Sequence, residues 1–442
     1  MSVHTEEHKR PAWPVLTSIS PEDNTVRPKV MTVFGTRPEI IKLAPVIRAL
    51  EAHSGRMQVV NVASAQHTDL LYPFAERFGV RLDYDLQAMR PGQKPAELAA
   101  RVLEALAAIL AGEQPEIVLV QGDTTTALAG ALAAFYANIP VGHVEAGLRS
   151  GNARNPFPEE MNRRLISQLA THHFAATTHN RDSLLAEGVS AENVYLTGNP
   201  VVDALHSMVN SLQPSSLIQK ILSETEGKRL VVLTTHRRES FGPVMADNLA
   251  ALRCFIDRHQ DTALVFPVHP NPAVTEAADE MLSGHPRIQL IDPLGYEDFL
   301  ALLAASWLIV SDSGGVQEEA PSLGKPLLVL RENTERPEAI DSGIARLVGG
   351  NPKRLFALLE EAAQPGSWIE NLGRVENPFG NGDAGARIAD IVAQTLGAQV
   401  PAAASANLRE PQIQYAPLRL VIPKSVRQTS VCRRLEIAYP AR

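Results

Sequence analysis

"VLVQGDTTTALAGALAAFYANIPVGHVEAGLRS", residues 118–150, sets two short apolar runs on either side of an alanine-rich segment. The runs Ile117-Val118-Leu119-Val120 and Val141-Gly142-His143-Val144 are short and bounded by turn residues, so each reads as a buried strand. Segment 124–137 between them reads as a helix. Strand, helix and strand in that order make one parallel unit, in a sheet covered by helices on both faces. Each strand ends on an acid, Asp123 after the first and Glu145 after the second. In open parallel sheets the carboxyl ends of the strands border the ligand crevice, where a charge finds polar surroundings. Capping of a helix that starts at Thr124 or Thr125 also accounts for Asp123. It accounts poorly for Glu145, because Ala146-Gly147 reads as a turn rather than a helix start.

The alternation extends outward in both directions. "KVMTVFG" reads as a strand, and "PEIIKLAPVIRALEAH" as a helix with Pro38 at its first position, where a missing N–H costs nothing. "MQVVNVAS" is a strand, "PAELAARVLEALAAILAGE" a helix with apolar spacing near 3.6, 159–169 a helix and "HHFAAT" a strand. After "VYLTGNPVVDAL" the series restarts with the strands "RLVVLTTH", "ALVFPVH", "IQLID", "WLIVSD" and "PLLVLR". Helices at 244–259, "YEDFLALLAAS" and "GVQEEAPSLG" alternate with them. The pattern predicts an α/β protein with two doubly wound, Rossmann-like domains, 28–200 and 201–380, facing each other across a cleft. Residues 381–397 read as a closing helix. Residues 1–27, with Pro11, Pro14 and Pro21, read as a flexible extension. Residues 398–442 read as a disordered basic tail, with seven Lys/Arg against two Asp/Glu from 401 onward.

Bulk properties narrow the function. The 442 residues exceed one ordinary core, and 45% hydrophobic with 20% charged residues is typical of a globular chain. A net charge of −8 supplies no global field toward nucleic acid or anionic membrane, so an anionic ligand needs a local basic cluster. Two cysteines, Cys254 and Cys432, make no disulfide framework or zinc set, which fits the cytoplasm. No run approaches the ~18 apolar residues of a membrane span. "MSVHTEEHKRPAWPVL" lacks the apolar core of a signal peptide.

Such basic clusters stand at the predicted strand ends. In "FGTRPEIIK", Arg37 and Lys42 lie near a helix start, where cations gain nothing from the dipole but would join it in holding an anion. Solvated surface charge is the alternative. In "LTTHRRES", His236, Arg237 and Arg238 form a compact basic turn. In "SDSGGVQEEAPSLGKP", Ser313, Gly314 and Gly315 offer small residues and free N–H groups at a helix start. Glu319, one turn on, suits a diol, and "RENTERPE" adds Arg336. No P-loop, GxGxxG, HExxH or G-x-S-x-G pattern is present. His172 and His173 are adjacent and point apart on a strand, and Cys254 reads as packing on an apolar helix face.

"FGTRPEIIKLAP", "QGDTTT", "GHVEAGLRS", "PFPEEMNR", "HRRESFG", "PVHPNP", "SDSGGVQEEAPSLGKP" and "TERPEA", in this order, closely resemble the bacterial non-hydrolysing UDP-N-acetylglucosamine 2-epimerases. The resemblance runs from about Lys29 to Gly397. It implies a fold of the glycosyltransferase-B type, a closing helix that returns to the first domain, and UDP binding by the second. It implies conversion of UDP-GlcNAc to UDP-ManNAc for cell-surface polysaccharide synthesis, through anti elimination of UDP to 2-acetamidoglucal and re-addition. By resemblance Asp123, Glu145 and Glu159 are the reacting carboxylates. Glu159 rather than Glu160 follows from its spacing to Glu145. Arg37, Lys42, His236 and Arg237 serve the diphosphate side, Ser313, Gly314 and Gly315 cradle phosphate, and Glu319 holds the ribose. Phe299 packs on uracil, the backbone near Leu294 reads its edge, and Arg336 joins the pocket. The resemblance implies no metal and no nicotinamide, and a homodimer. Several members bind a second UDP-GlcNAc as activator through a Gln-His-x-Gln stretch. Here it reads Gln66-His67-Thr68-Asp69, and the acid Asp69 predicts altered activation. A hydrolysing epimerase, a glycosyltransferase of the same fold and a non-catalytic sugar-nucleotide sensor are the alternative readings.

Overall fold

The computed structural model describes residues 27–64, 68–90, 92–209, 211–237 and 241–397. All but Arg27 of the expected extension at 1–27, and the expected tail at 398–442, lie outside these residues. The first sheet comprises β1 (Lys29–Phe34), β2 (Gln58–Ala63), β3 (Tyr84–Asp85), β4 (Ile117–Gln121), β5 (Val141–Ala146), β6 (His172–Ala175) and β7 (Val194–Leu196). Its spatial order is 3-2-1-4-5-6-7, and every pairing is parallel. The second sheet comprises β8 (Arg229–Thr234), β9 (Thr262–Pro267), β10 (Ile288–Ile291), β11 (Leu308–Ser311), β12 (Leu327–Val329) and β13 (Ala345–Leu347). Its order, 10-9-8-11-12-13, repeats the arrangement of the first six strands, again all parallel. The strand order therefore reverses twice, between β1 and β4 and between β8 and β11, and each reversal opens a crevice at the carboxyl edge. These are two Rossmann-like units in a glycosyltransferase-B arrangement.

The sequence builds these layers by period. All five residues of β4 are buried, as a strand covered on both faces requires. Helix Pro95–Glu113 buries Leu98, Val102, Leu106 and Leu110 along one stripe, and full burial of each side chain contributes about 2 kcal/mol. Gly130 lets helix Thr125–Tyr136 lie close on the sheet, since a Cβ there would meet Val120 at 3.1 Å and Val33 at 3.2 Å. Cys254 is fully buried in helix Pro243–Arg258. His173 is buried and His172 half-buried on β6.

The apolar core is continuous between the halves. Val202, Leu205 and Met208 of helix Pro200–Val209 belong to one cluster with Ile40 and Ile47 on the first side and Leu300 and Val316 on the second. Helix Ala384–Thr395, which follows the second sheet, packs on helix Arg37–Ala52 of the first. Gly385 makes that approach possible, because a Cβ would sit 2.8 Å from the Pro45 carbonyl oxygen. Asp203 accepts hydrogen bonds from the N–H groups of Gly385 (2.8 Å) and Ala384 (3.3 Å), fixing the start of the closing helix.

Two local expectations change. Helix Arg37–Ala52 begins one residue before Pro38, because Thr36 takes the extended cap geometry. Proline is equally tolerated at the second position, whose N–H would lack an intrahelical acceptor. The helix after β4 is capped by Thr124, whose hydroxyl accepts from the Ala127 N–H at 3.0 Å, so Asp123 is not its cap. Among the described residues no helix is long and apolar enough to cross a membrane.

Candidate active site

The carboxyl edges of the two sheets enclose a cleft of about 690 Å³. Every residue expected for catalysis or substrate binding lines it. On the first side, the loop after β1 leads into helix Arg37–Ala52. Glu39 reaches back to accept from the N–H groups of Gly35 (3.0 Å) and Thr36 (2.7 Å) and from the Thr124 hydroxyl (2.7 Å). It thereby ties the loops after β1 and β4 together. Burial pushes its carboxyl up to about 7 against those donors. Arg37 crosses to the second side, its guanidinium 5.6 Å from the centre of the Tyr296 ring.

The three acids sit in unlike surroundings. Asp123, freed from capping, receives Nε (3.1 Å) and Nη2 of the buried Arg163, and its carbonyl accepts from Asn162 at 2.8 Å. Glu145 closes β5 in the left-handed region, with φ +65°, where the pairing register with β6 shifts. A non-glycine residue held there costs on the order of 1–3 kcal/mol. The irregularity re-aims the side chain, a common use of a bulge at a strand end. Its two oxygens meet the Lys42 ammonium at 2.6 and 2.7 Å, and Gln121 donates to it as well. Burial pushes the Glu145 carboxyl up to about 7 although Lys42 favours its charge.

Glu159 opens helix Glu159–Leu169 and faces the cleft half-buried, with no hydrogen-bond or ion-pair partner among the described residues. Its neighbour Glu160 is fully buried and wholly engaged. It accepts from Ser150 N–H (2.9 Å), Arg164 Nε (2.9 Å) and Arg163 Nη1 (3.2 Å). The two adjacent glutamates thus divide, one toward the cleft and one into structure.

On the second side, the fully buried Asp312 directly follows β11 and organises the turn after β8. It accepts from the Thr235 hydroxyl (2.7 Å) and from the N–H groups of His236 (3.0 Å) and Arg237 (3.0 Å). His236 Nδ1 lies 3.3 Å from the same carboxylate, and its ring stacks on His269 at 5.9 Å. Ser313 caps helix Gly314–Ser322 through its backbone alone, with no side-chain capping bond. The N–H groups of that first turn lack intrahelical acceptors, and together with the Ser313 hydroxyl they suit an anion. A Cβ on Gly314 would stand 3.0 Å from Arg336 Nη1, a tight contact that would press on the guanidinium. Leu294 and Phe299 line the apolar end. Glu319 accepts from the Tyr296 hydroxyl at 2.8 Å, and burial pushes its carboxyl up to about 7.

Sequence reasoning missed several residues of this site. Lys42 does not stand free for an anion. Its ammonium also meets Glu318 at 2.9 Å, and Glu318 in turn accepts from Arg336 Nε at 2.7 Å. Glu318, Glu39, Arg163, Tyr296, His269 and Asp312 are residues that the sequence does not single out. A signal existed for Arg163, four residues beyond Glu159 on one helix face. Gln66 and His67 of the expected activator stretch lie outside the described residues, and Asp69 falls in the first turn of helix Thr68–Arg77.

Comparison with known proteins points to one family. The family described as UDP-N-acetylglucosamine 2-epimerase matches residues 48–393. The UDP-N-acetylglucosamine 2-epimerase of Salmonella typhimurium is 45% identical over 365 residues, 81% of this chain and 97% of that one. The crystal structure of UDP-GlcNAc 2-epimerase from Neisseria meningitidis bound to UDP-GlcNAc is similar with TM-score 0.75 and 39% identity, covering 84% of this chain and 100% of that one. The Methanocaldococcus jannaschii UDP-GlcNAc 2-epimerase in complex with UDP-GlcNAc and UDP gives TM-score 0.69 and 33% identity, covering 83% and 99%.

Proposed function

The chain belongs to the UDP-N-acetylglucosamine 2-epimerase family, and on that premise we propose that it interconverts UDP-GlcNAc and UDP-ManNAc without hydrolysis. The observation that carries the reading is the union in one cleft of three carboxyls from the first sheet with the helix N-terminus, His236 and Arg237 from the second.

The chemistry follows from the substrate. No carbonyl adjoins C2, so removing its proton alone is unfavourable. A carboxylate among Asp123, Glu145 and Glu159 takes the C2 proton as the C1–O bond breaks. The C–H electron pair becomes the C1–C2 double bond, and the C1–O pair leaves with UDP. In the return step the double bond takes a proton from a carboxylic acid on the opposite face of C2, while a UDP oxygen re-forms the bond to C1. The route is redox-neutral, so it calls for no nicotinamide.

Each part of the cleft suits one demand of this route. Arg163 orients Asp123 through two N–H donors, and burial keeps a proton available on Glu145 near neutral pH. The cradle at Ser313–Gly315, the cations Arg37 and Arg237, and the imidazole of His236 stabilise charge gathering on the departing diphosphate. Glu319 binds the ribose, with Phe299 and Leu294 around the base.

The working form is a homodimer. Phe135, Tyr136, Met161 and Leu165 are exposed on the adjoining helices Thr125–Tyr136 and Glu159–Leu169, an apolar face that a second copy would cover. Sedimentation at twice the chain mass checks this. The reading carries with it a cytoplasmic location.

Incubation with UDP-GlcNAc in D₂O tests the activity. Deuterium is expected at C2 of both epimers, with UDP-ManNAc as product, and Asp123→Asn should stop it. Free ManNAc with UDP, or epimers without deuterium, would overturn the reading.

A further inference from the structure

Six buried charged side chains alternate in sign across the boundary between the halves. Glu145 meets Lys42 (2.6 Å), Lys42 meets Glu318 (2.9 Å), Glu318 meets Arg336 (2.7 Å), Arg336 meets Glu335 (2.7 Å), and Glu335 meets Arg331 (2.8 Å). None of these side chains is more than 10% exposed. Glu145 and Lys42 belong to the first half, and the other four to the second. The Lys42–Glu318 contact is therefore the link that crosses, and it exists only while the two carboxyl edges stand together.

A buried ion chain is a poor source of net stability, because desolvating the charges offsets most of their attraction. What it supplies is register and a defined electrostatic setting. Glu318 places one oxygen on Lys42 and the other on Arg336, and its side chain is only 2% exposed. It therefore acts through its neighbours. Lys42 is the cation it shares with a reacting acid, since the same ammonium touches both oxygens of Glu145.

We propose that Glu318 is a positioning residue for the epimerisation. By holding Lys42 from across the cleft, it withholds part of the lysine charge from Glu145, so apposition of the second half sets Glu145 for proton transfer. This rests on the reading of the reaction given above. The charged groups facing Glu145 are Lys42 from its own half and Glu318 and Arg336 from the other. Burial raises its proton affinity most, Lys42 lowers it, Glu318 raises it and Arg336 lowers it. Removing the Glu318 charge leaves Lys42 undivided on Glu145, and the proton affinity of Glu145 must fall.

The test compares wild type, Glu318→Gln, Glu318→Asp and Glu335→Gln. Two readouts are taken: the pH profile of kcat, and the titration of Glu145 followed by carboxyl ¹³C NMR, assigned with Glu145→Gln. In Glu318→Gln the Glu145 titration, and the limb of the profile that reports it, should move to lower pH by about one unit. kcat should fall more than KM rises. Glu318→Asp, which keeps the charge, should return the limb toward wild type. Glu335→Gln disturbs Arg336 without touching Lys42, and should move the Glu145 titration much less than Glu318→Gln does. An unmoved Glu145 titration in Glu318→Gln, or an equal movement in Glu335→Gln, overturns the proposal. The NMR titration needs no turnover, so it judges the coupling even if the chain proves not to epimerise UDP-GlcNAc. If Glu318→Gln does not fold, the comparison of Glu318→Asp with wild type decides, with a smaller shift in the same direction expected.

Discussion

The two sheets of this protein share one strand order and differ in almost everything their loops present. After β1, β4 and β5 the first sheet offers Arg37, Asp123 and Glu145, with Glu159 on the helix beyond. After β8 and β11 the second offers backbone N–H groups, His236, Arg237 and a helix N-terminus. The frame explains why both sets lie at carboxyl edges, because the reversal of strand order opens a crevice in each half. It does not explain which half breaks the C–H bond and which holds the leaving group. The proposed division rests on a few residues per loop. It is also incomplete: Lys42 and Arg163 place cations among the acids, and Glu318 and Glu319 place acids among the cations.

If the division of labour is right, damage to one edge should leave the work of the other intact. The largest effect belongs to the acids. Asp123→Asn should lower kcat by about 100- to 10,000-fold, the range of a lost general acid or base, while UDP binding by calorimetry stays near wild type. Loss of UDP affinity to the same degree would erase the distinction between the edges. The next effect belongs to the second edge. Glu319→Ala removes the carboxyl assigned to the ribose and should weaken UDP binding about tenfold, with kcat at saturation changing much less. A dominant fall in kcat would mean that Glu319 serves the chemistry.

The smallest effect concerns the joint between the halves. Burial holds Asp203 up at about 6, above its ordinary 3.8. The folded chain then binds this proton more tightly than the unfolded chain. The contribution to stability is full below about pH 4 and is lost as pH rises through about 6. The melting temperature of the wild type should therefore drop more between about pH 5 and about pH 7 than that of Asp203→Asn, by a few degrees. Parallel pH dependences in the two proteins would remove Asp203 from the account of how the closing helix is fixed.

What could be read in the sequence and what could not divides along physical lines. Helix Pro95–Glu113 was legible because Leu98, Val102, Leu106 and Leu110 recur on one stripe. The strands β1, β4, β5 and β8 were legible as apolar runs ending in turn residues. The strands β3 and β13, of two and three residues, are too short for any period to register. The expected acids and cations reached the cleft because residues just past a parallel strand have few other places to go. Asp123 was ambiguous, since Thr124 beside it is an equally good cap, and only the folded structure shows the hydroxyl of Thr124 taking that role. The adjacent glutamates 318 and 319 look alike in sequence, yet one bridges to Lys42 and the other meets Tyr296. Such a choice depends on partners from distant parts of the chain, and local pattern carries no trace of it.

The central claim is that the bond to UDP breaks and re-forms while the second sheet's loops hold the diphosphate. UDP-GlcNAc carrying ¹⁸O in the bridge between C1 and the β-phosphate tests it directly. Scrambling of the label into non-bridging β-phosphate positions, in both recovered UDP-GlcNAc and product UDP-ManNAc and without accumulation of free UDP, is the predicted result. Epimerisation with the label still wholly in the bridge would contradict it.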